Sequence, residues 1–363
     1  MSIFWVTDTI GTVDCAYMAL IFLKTGYLLK GIIMEKSTYS TELISSNKGD
    51  KSSLVTLVVR FPRYILPEVN THRVFSRNSA SSRARSVYKT IESVMEDPFI
   101  PEFTINQKGM SGEAATGRRK YYAEEEWLLA RDRAVESILR LLIGYQYDGD
   151  YTSIRTDWKY WVTEYQEHIY KEEKYKTNPT ILNIHKQNVN RLIEPFMWHT
   201  AIITSSYWDN FFKLRRSNDA QPEIHKLADS MFEASNVDNE SSSPHHIPFY
   251  DQLEFQTIED VIIASIRSVS ECARISYKDP SSTKRSIDKD VALVQHLYND
   301  KHMSPFEHQA FRKDWFYDNF PVVGNPDLSG NLSPEWVQFR HALDVDSFAE
   351  VFENVSANIH TKK

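Results

Sequence analysis

The stretch Leu54–Phe61, LVTLVVRF, is β-branched and apolar and is followed by Pro62, so it predicts a buried strand. Pro62 then opens a predicted helix, because proline is tolerated in a first helical turn. The next run, Thr71–Ser86 (THRVFSRNSASSRARS), carries one imidazole, four guanidiniums and six hydroxyls without any acid. Arginine forks and short hydroxyls suit an oxyanion, such as a phosphate monoester or a pyrophosphate. Strand, helix and basic loop in this order favour a binding site, and a basic surface loop is the alternative.

Composition limits the class of protein. The 363 residues suffice for one large or two moderate domains, and the net charge of −7 excludes a general nucleic-acid coat. The two cysteines, Cys15 and Cys272, form neither a disulfide framework nor a metal-ligand spacing, which predicts a reducing, cytoplasmic compartment and no bound metal. The sequence contains no GxGxxG, GxxxxGK[ST] or GxSxG motif, which disfavours a Rossmann site, a P-loop or a serine hydrolase.

The first 33 residues are predicted to be a poorly packed extension that precedes an alternative start at Met34. The uncharged run Cys15–Leu23 is shorter than the roughly 20 residues that span a membrane. Asp8 and Asp14 stand before it, where a signal peptide would carry basic residues. We therefore predict neither a membrane segment nor a signal peptide.

The rest of the chain is predicted to be one composite domain in two halves, residues 34–235 and 236–363. Their join is the linker Asn236–Pro248 (NVDNESSSPHHIP), in which His245 and His246 are expected to be solvated. Residues 99–180 are a long insertion of open role, and the tail after Phe311 is expected to be irregular. Apolar periodicity predicts helices at Glu124–Ile143, Asp157–Tyr175, Ile181–Trp198, Tyr207–Leu214, Ala220–Ala234 (capped by Asp219), Ile258–Ile275 and Ile287–Tyr298.

Four polar clusters, taken as a set, resemble the motifs of the flavin-dependent thymidylate synthases. The family's Arg-His-Arg followed by Ser and Arg is similar to Thr71-His72-Arg73 and Ser81-Ser82-Arg83. Its other motifs are similar to Asn210–Arg215 with Ala220–Ile224, to Ala273–Ser276, and to His302–His308. The resemblance implies a helix-rich α+β fold with a small mixed sheet.

The motif order is circularly permuted, because the last two motifs precede the Arg-His-Arg motif in the family. A permutation is acceptable where the old termini lie close together and the join is a surface linker. This order resembles phage-encoded members of the family, which would act in the host cytoplasm.

Two residues depart from the family pattern. Thr71 replaces the first arginine of the signature, which in the family helps to hold flavin and nucleotide, and Ser79 replaces an acidic residue. Arg77 and Arg85 are the candidates to supply the missing charge.

The resemblance implies reductive methylation of dUMP at C5, with methylenetetrahydrofolate as carbon donor, FAD as electron carrier and NADPH as electron source. It also implies a homotetramer with shared sites, and no protein nucleophile on the base. Arg215, Arg83 and His302 are the implied catalytic residues, and Arg215 would steady negative charge on the ring. The implied nucleotide site is Glu68, Ser81, Ser82, Arg83 and Arg215. The implied flavin site is His72, Arg73, Asn210, Arg274, Ser276, His302, Ser304 and Glu307.

Two alternatives stay open. One is a flavin enzyme that places another one-carbon group, such as hydroxymethyl, on dUMP or dCMP, and Thr71 and Ser79 motivate it. The other is an inactive homologue that binds nucleotides or RNA through the basic run, against which the negative net charge speaks.

Overall fold

The computed structural model describes residues 39–108, 112–144, 149–150, 152–169, 178, 180–236, 240–250, 255–275 and 286–359. The predicted extension over residues 1–33 lies outside them. The described part combines many helices with two small sheets, so the predicted α+β class is confirmed. The named strands of both sheets pair antiparallel, where a mixed sheet was expected, and a parallel contact occurs as an isolated bridge between Asn47 and Ser241.

Strand β2 (Leu54–Pro62) lies inside the larger sheet and confirms the prediction for LVTLVVRF. It pairs with β1 (Ser40–Asn47) on one side and with β4 (Trp198–Ser205) on the other. Strand β3 (Ser76–Ser79) pairs with β4, so the sheet order is β1-β2-β4-β3. The predicted helix after Pro62 forms as a 3₁₀ turn at Arg63–Ile65 and the short helix α1 (Leu66–Asn70).

Two sequence predictions near this sheet were wrong. The predicted helix over Ile181–Trp198 is broken into a short helix and a 3₁₀ segment, and Pro195 within that segment cannot continue a regular helix. The chain then enters β4, whose residues are mostly buried against β2 and β3. The basic run, predicted as a loop, contains β3, because pairing with β4 outweighs the weak strand propensity of SRNS.

Helices make up most of the described chain outside the two sheets. Predicted helices at residues 124–143, 207–214, 220–234, 258–275 and 287–298 are confirmed with shifted ends, and the helix predicted from Asp157 is observed as far as it is described. Asp219 is not a cap, since the residue before the first turn is Gln221. The helices are α2 (Val87–Glu96), α3 (Gly117–Ile143), α4 (Ile154–Glu164), α5 (Lys186–Val189), α6 (Asp209–Arg215), α7 (Pro222–Ser235), α8 (Ile258–Ala273), α9 (Ile287–Asn299), α10 (Lys313–Asn319), α11 (Phe339–Ala342) and α12 (Asp346–Asn358).

The second sheet corrects two further predictions. Its strands are β5 (His245–His246), β6 (Ala310–Arg312) and β7 (Trp336–Gln338), in the order β5-β6-β7. The histidine pair that was expected in a solvated linker is therefore buried, with His246 fully enclosed. The tail after Phe311 is also regular as far as residue 359, because α10, α11 and α12 pack aromatic side chains onto this sheet.

A buried chain of hydrogen bonds joins the two sheets. His246 Nδ1 lies 2.6 Å from Asn47 Oδ1, and His246 Nε2 lies 2.7 Å from Thr56 Oγ1. Thr56 Oγ1 is 2.7 Å from Thr204 Oγ1, which is 2.9 Å from Nδ1 of His308. An amide oxygen can only accept, so His246 Nδ1 donates to Asn47 and its Nε2 accepts from Thr56. We call these five residues the buried histidine chain.

Candidate functional site

Three of the four motifs meet at β3. Asn78 Nδ2 donates to the carbonyl oxygen of Cys272 at 2.8 Å, and Asn78 Oδ1 accepts from Ser304 Oγ at 3.2 Å. These contacts join the basic run to the end of α8 and to the 3₁₀ turn Ser304–Glu307, across 194 and 226 residues of sequence. The structure thus brings together segments that lie far apart in the sequence.

Gln338, which was not among the predicted site residues, connects the same segments. Its Nε2 lies 3.1 Å from Ser76 Oγ, 3.0 Å from the carbonyl oxygen of Glu307 and 2.8 Å from Asn331 Oδ1. Gln338 is buried at the end of β7, in the tail that was predicted to be irregular. A buried amide with these partners fixes the spacing between β3 and the 304–307 turn.

Replacing Asn78 by Ala tests this junction. The change removes both hydrogen bonds, which together contribute about 1–3 kcal/mol to the free energy of unfolding. Urea unfolding measures the loss, with Asn188→Ala, a change at an exposed asparagine of α5, as the control. Equal stability of the two variants would contradict the role of Asn78.

Arg77 and Arg215 lie on either side of His72, and we call these three residues the arginine cluster. Arg215 Nε donates to His72 Nε2 at 3.0 Å, and Arg215 Nη2 donates to Thr71 Oγ1 at 3.1 Å. Arg77 Nη1 donates to the carbonyl oxygens of Val69 and His72 at 3.0 and 3.3 Å. The end of α6 is thereby fixed to the start of the basic run.

The arginines set the protonation state of His72. Burial, then the charge of Arg215, then that of Arg77 lower the pKa of His72 to about 4. His72 is therefore neutral at pH 7, with the proton on Nδ1, because Nε2 accepts from Arg215. Burial also lowers the pKa of Arg77, and Glu307 opposes this shift, which places the Glu307 carboxylate within electrostatic reach of the cluster.

Within the described residues, no carboxylate lies within ion-pair distance of Arg73, Arg77, Arg83 or Arg215. Most other arginines of the described part do have such a partner; Arg274, for example, pairs with Asp290 at 2.8 Å. Guanidiniums without carboxylate partners, beside a neutral histidine, form a favourable environment for an anion.

The remaining predicted residues fall into several environments. Ser81 and Arg83 are exposed on the turn after β3, whereas Ser82 is buried. Asn210 and His302 are exposed, and Glu307 pairs with Arg340. Arg274 bonds Asp290 and Ser270 and so links α8 with α9. Glu68 Oε2 is buried, with no hydrogen-bond partner in the described part of the chain. Ser276 lies outside the described residues.

Other kinds of site receive little from the structure. Cys272 is fully buried against Ile202 and Ile275, so its thiol cannot reach a substrate base. Over the described ranges, no group of three His, Cys, Asp or Glu residues could hold a metal ion. No described helix is long and apolar enough to cross a membrane.

Comparison with known proteins yields one structural likeness to report. No family model matches the chain, and no curated protein matches it. Among solved structures, the chain is similar to the crystal structure of a UMP/dUMP methylase PolB from Streptomyces cacaoi bound with 5-Br UMP. The TM-score is 0.37 and the sequence identity 14%, over 55% of this chain and 89% of that chain. We draw no argument about activity from a likeness of this size.

Proposed function

We propose that this protein is a flavin-dependent thymidylate synthase that methylates dUMP at C5. The observation that carries the proposal is the Arg215 guanidinium, which His72 and Thr71 hold at the start of the basic run. The reaction balances as dUMP, methylenetetrahydrofolate, NADPH and a proton giving dTMP, tetrahydrofolate and NADP⁺. In it, C5 of the ring loses a proton and gains the donor's carbon, which is reduced by two electrons from NADPH.

Arg215 is the residue that we expect to act on the pyrimidine. C5 becomes nucleophilic when negative charge develops on the ring, and a fixed guanidinium stabilises that charge. Hydrogen bonds to His72 and Thr71 hold two of its nitrogens, so little reorganisation is needed during the reaction. A neutral His72 supports this role, because it accepts from Arg215 without adding a competing positive charge.

The donor set around the basic run fits a flavin dinucleotide. Arg73 and Arg77 offer charge to a pyrophosphate, and His72, Asn210, His302, Ser304 and Glu307 offer polar contacts to the rest of the group. Flavin, when bound, would carry the two electrons from NADPH to the transferred carbon. The burial of Cys272 supports a reaction without a cysteine nucleophile on the base. By the same resemblance we expect a cytoplasmic homotetramer whose subunits share the sites.

Mass analysis of the product tests the proposal. The protein is incubated with FAD, NADPH, methylenetetrahydrofolate and dUMP, and a nucleotide heavier than dUMP by one CH₂ is expected. A gain of CH₂O from dUMP or dCMP would instead show a hydroxymethylase. A protein that binds nucleotide or RNA but neither binds flavin nor changes dUMP would be an inactive homologue. Either result would overturn the synthase assignment.

A further inference from the structure

The last residue of the turn Ser304–Glu307 lies beside strand β3. Gln338 Nε2 is 3.0 Å from the carbonyl oxygen of Glu307 and 3.1 Å from Ser76 Oγ. Ser76 directly precedes Arg77 in β3. A single amide group therefore joins Glu307 to the strand residue next to Arg77, which is an arginine of the basic run.

The side chain of Glu307 is held by Arg340, a residue of α11 that belongs to none of the family motifs. Arg340 Nη1 donates to Glu307 Oε1 in an ion pair. The Glu307 side chain is 20% exposed and that of Arg340 is 43% exposed. Because the glutamate is largely covered by protein, this pair is screened less than one between fully exposed side chains.

The start of α11 is fixed with respect to Glu307. The Phe339 ring stacks on Phe306, with ring centroids 6.0 Å apart and ring planes 7° from parallel. The backbone N–H of Phe339 donates to the carbonyl oxygen of Gln309 at 2.9 Å. These contacts precede and follow Glu307 in the chain, so they hold the backbone of Arg340 in place beside the glutamate.

The Glu307 carboxylate also lies within electrostatic reach of Arg77. Burial lowers the pKa of Arg77, and the negative charge of Glu307 opposes this shift. The described structure nevertheless shows no ion pair between these two side chains, and Arg77 Nη1 donates to the carbonyl oxygens of Val69 and His72. Backbone carbonyls accept hydrogen bonds without cancelling the charge. Two cations therefore act on the Glu307 carboxylate, and one of them is bonded to it.

The choice between these two cations matters for an anionic ligand. A carboxylate paired with Arg77 would neutralise a guanidinium of the basic run and would repel an anion from it. Glutamate has a long, flexible side chain. Without Arg340, the Glu307 carboxylate would be free to turn toward Arg77.

We propose that Arg340 is a positioning residue that holds the Glu307 carboxylate away from Arg77 and so keeps the Arg77 guanidinium available to an anion. The anion that we expect there is the pyrophosphate of the flavin dinucleotide, and this part of the inference rests on the proposed function. The retention of Glu307 by Arg340 does not rest on it, because it follows from contacts within the protein alone.

Calorimetric titration at pH 7.5 with inorganic pyrophosphate tests the inference without flavin. We expect Arg340→Gln to weaken pyrophosphate binding by about 10-fold or more, because a carboxylate that pairs with Arg77 removes a charged hydrogen bond from the anion. Adding Glu307→Gln to Arg340→Gln should restore the affinity, since a glutamine cannot neutralise Arg77. A loss caused only by a disturbed fold would not be reversed by this second substitution.

Two further variants serve as comparisons. Arg340→Lys keeps the positive charge beside Glu307 and should retain most of the affinity for pyrophosphate. Arg140→Gln is the matched control, because Arg140 pairs with Glu136 on α3 at 2.9 Å, with side-chain exposures of 53% and 15%. Arg140→Gln should bind pyrophosphate as the wild type does.

Titration with FAD and with riboflavin, which lacks the pyrophosphate, separates the inference from the proposed function. FAD affinity that falls in Arg340→Gln and returns in the double variant, with riboflavin unaffected, would identify the flavin pyrophosphate as the anion. If pyrophosphate follows the expected pattern and the wild type does not bind FAD, the proposed function alone is overturned. The inference itself is overturned if the folded wild type does not bind pyrophosphate, if Arg340→Gln binds it normally, or if Glu307→Gln fails to reverse the loss.

Discussion

Replacing Arg215 by Ala is expected to weaken dUMP binding by about 10- to 100-fold while flavin binding is retained. Hydrogen bonds to a charged group contribute about 1.5–3 kcal/mol, and each 1.4 kcal/mol is a factor of ten in affinity. Arg215→Lys should bind dUMP more weakly than the wild type and more tightly than Arg215→Ala. Lysine keeps the charge but lacks the guanidinium fork that bonds His72 and Thr71. Equilibrium titration of each variant with dUMP measures the effect.

The neighbouring residue provides the control for this prediction. Arg216 has the same charge and is bonded to Asp229 on α7, away from the cluster, so Arg216→Ala should bind dUMP normally. A second readout needs no ligand: loss of Arg215 removes a charge that lowers the pKa of His72, so NMR titration should show this pKa rising from about 4. Unchanged dUMP affinity in Arg215→Ala, or an unmoved pKa of His72, would refute the assignment.

We expect the buried histidine chain to lower the free energy of unfolding as the pH falls. Burial lowers the pKa of His246 and of His308 to about 3, with the charge of His308 contributing at His246. In the unfolded chain both titrate near 6.5. Between about pH 6.5 and 3 the unfolded state therefore binds more protons, and the free energy of unfolding falls as the pH falls. By pH 5 the loss is on the order of 2 kcal/mol for each histidine.

Urea unfolding at a series of pH values measures this dependence. His246→Gln should be less stable than the wild type at pH 7, because it breaks the chain between Asn47 and Thr56. The stability of His246→Gln should nevertheless change less between pH 7 and pH 5 than that of the wild type. His296 is largely exposed, so His296→Gln should keep the wild-type dependence. If the unfolding free energy of His246→Gln fell with pH as steeply as that of the wild type, His246 would not be a source of the acid instability.

The elements that the sequence predicted are those with a local signal. LVTLVVRF is buried on both faces and bounded by proline, and α8 begins with a capping box between Thr257 and Asp260. Strands β3 and β5 carry polar sequences, SRNS and HH, and are strands only because β4 and β6 supply partners. Long-range pairing of this kind leaves no trace in local periodicity.

The contacts of the candidate site also include some that the sequence predicted and some that it did not. The approach of Arg215 to the basic run was expected, because both belong to the site that the family resemblance implies. Gln338 and Arg340 were not expected, because each is a single residue in an otherwise ordinary segment. Their roles depend on what the folded chain brings beside them, such as Ser76 in one case and Glu307 in the other.

We propose that flavin and pyrimidine nucleotide share one site built around Arg215 and the basic run. The most direct measurement is the visible absorption spectrum of the purified protein with added FAD, recorded before and after addition of dUMP. We expect a protein-bound flavin band that dUMP perturbs, and in Arg215→Ala a perturbation that needs about 10- to 100-fold more dUMP. A spectrum identical to that of free FAD and unmoved by dUMP would contradict it.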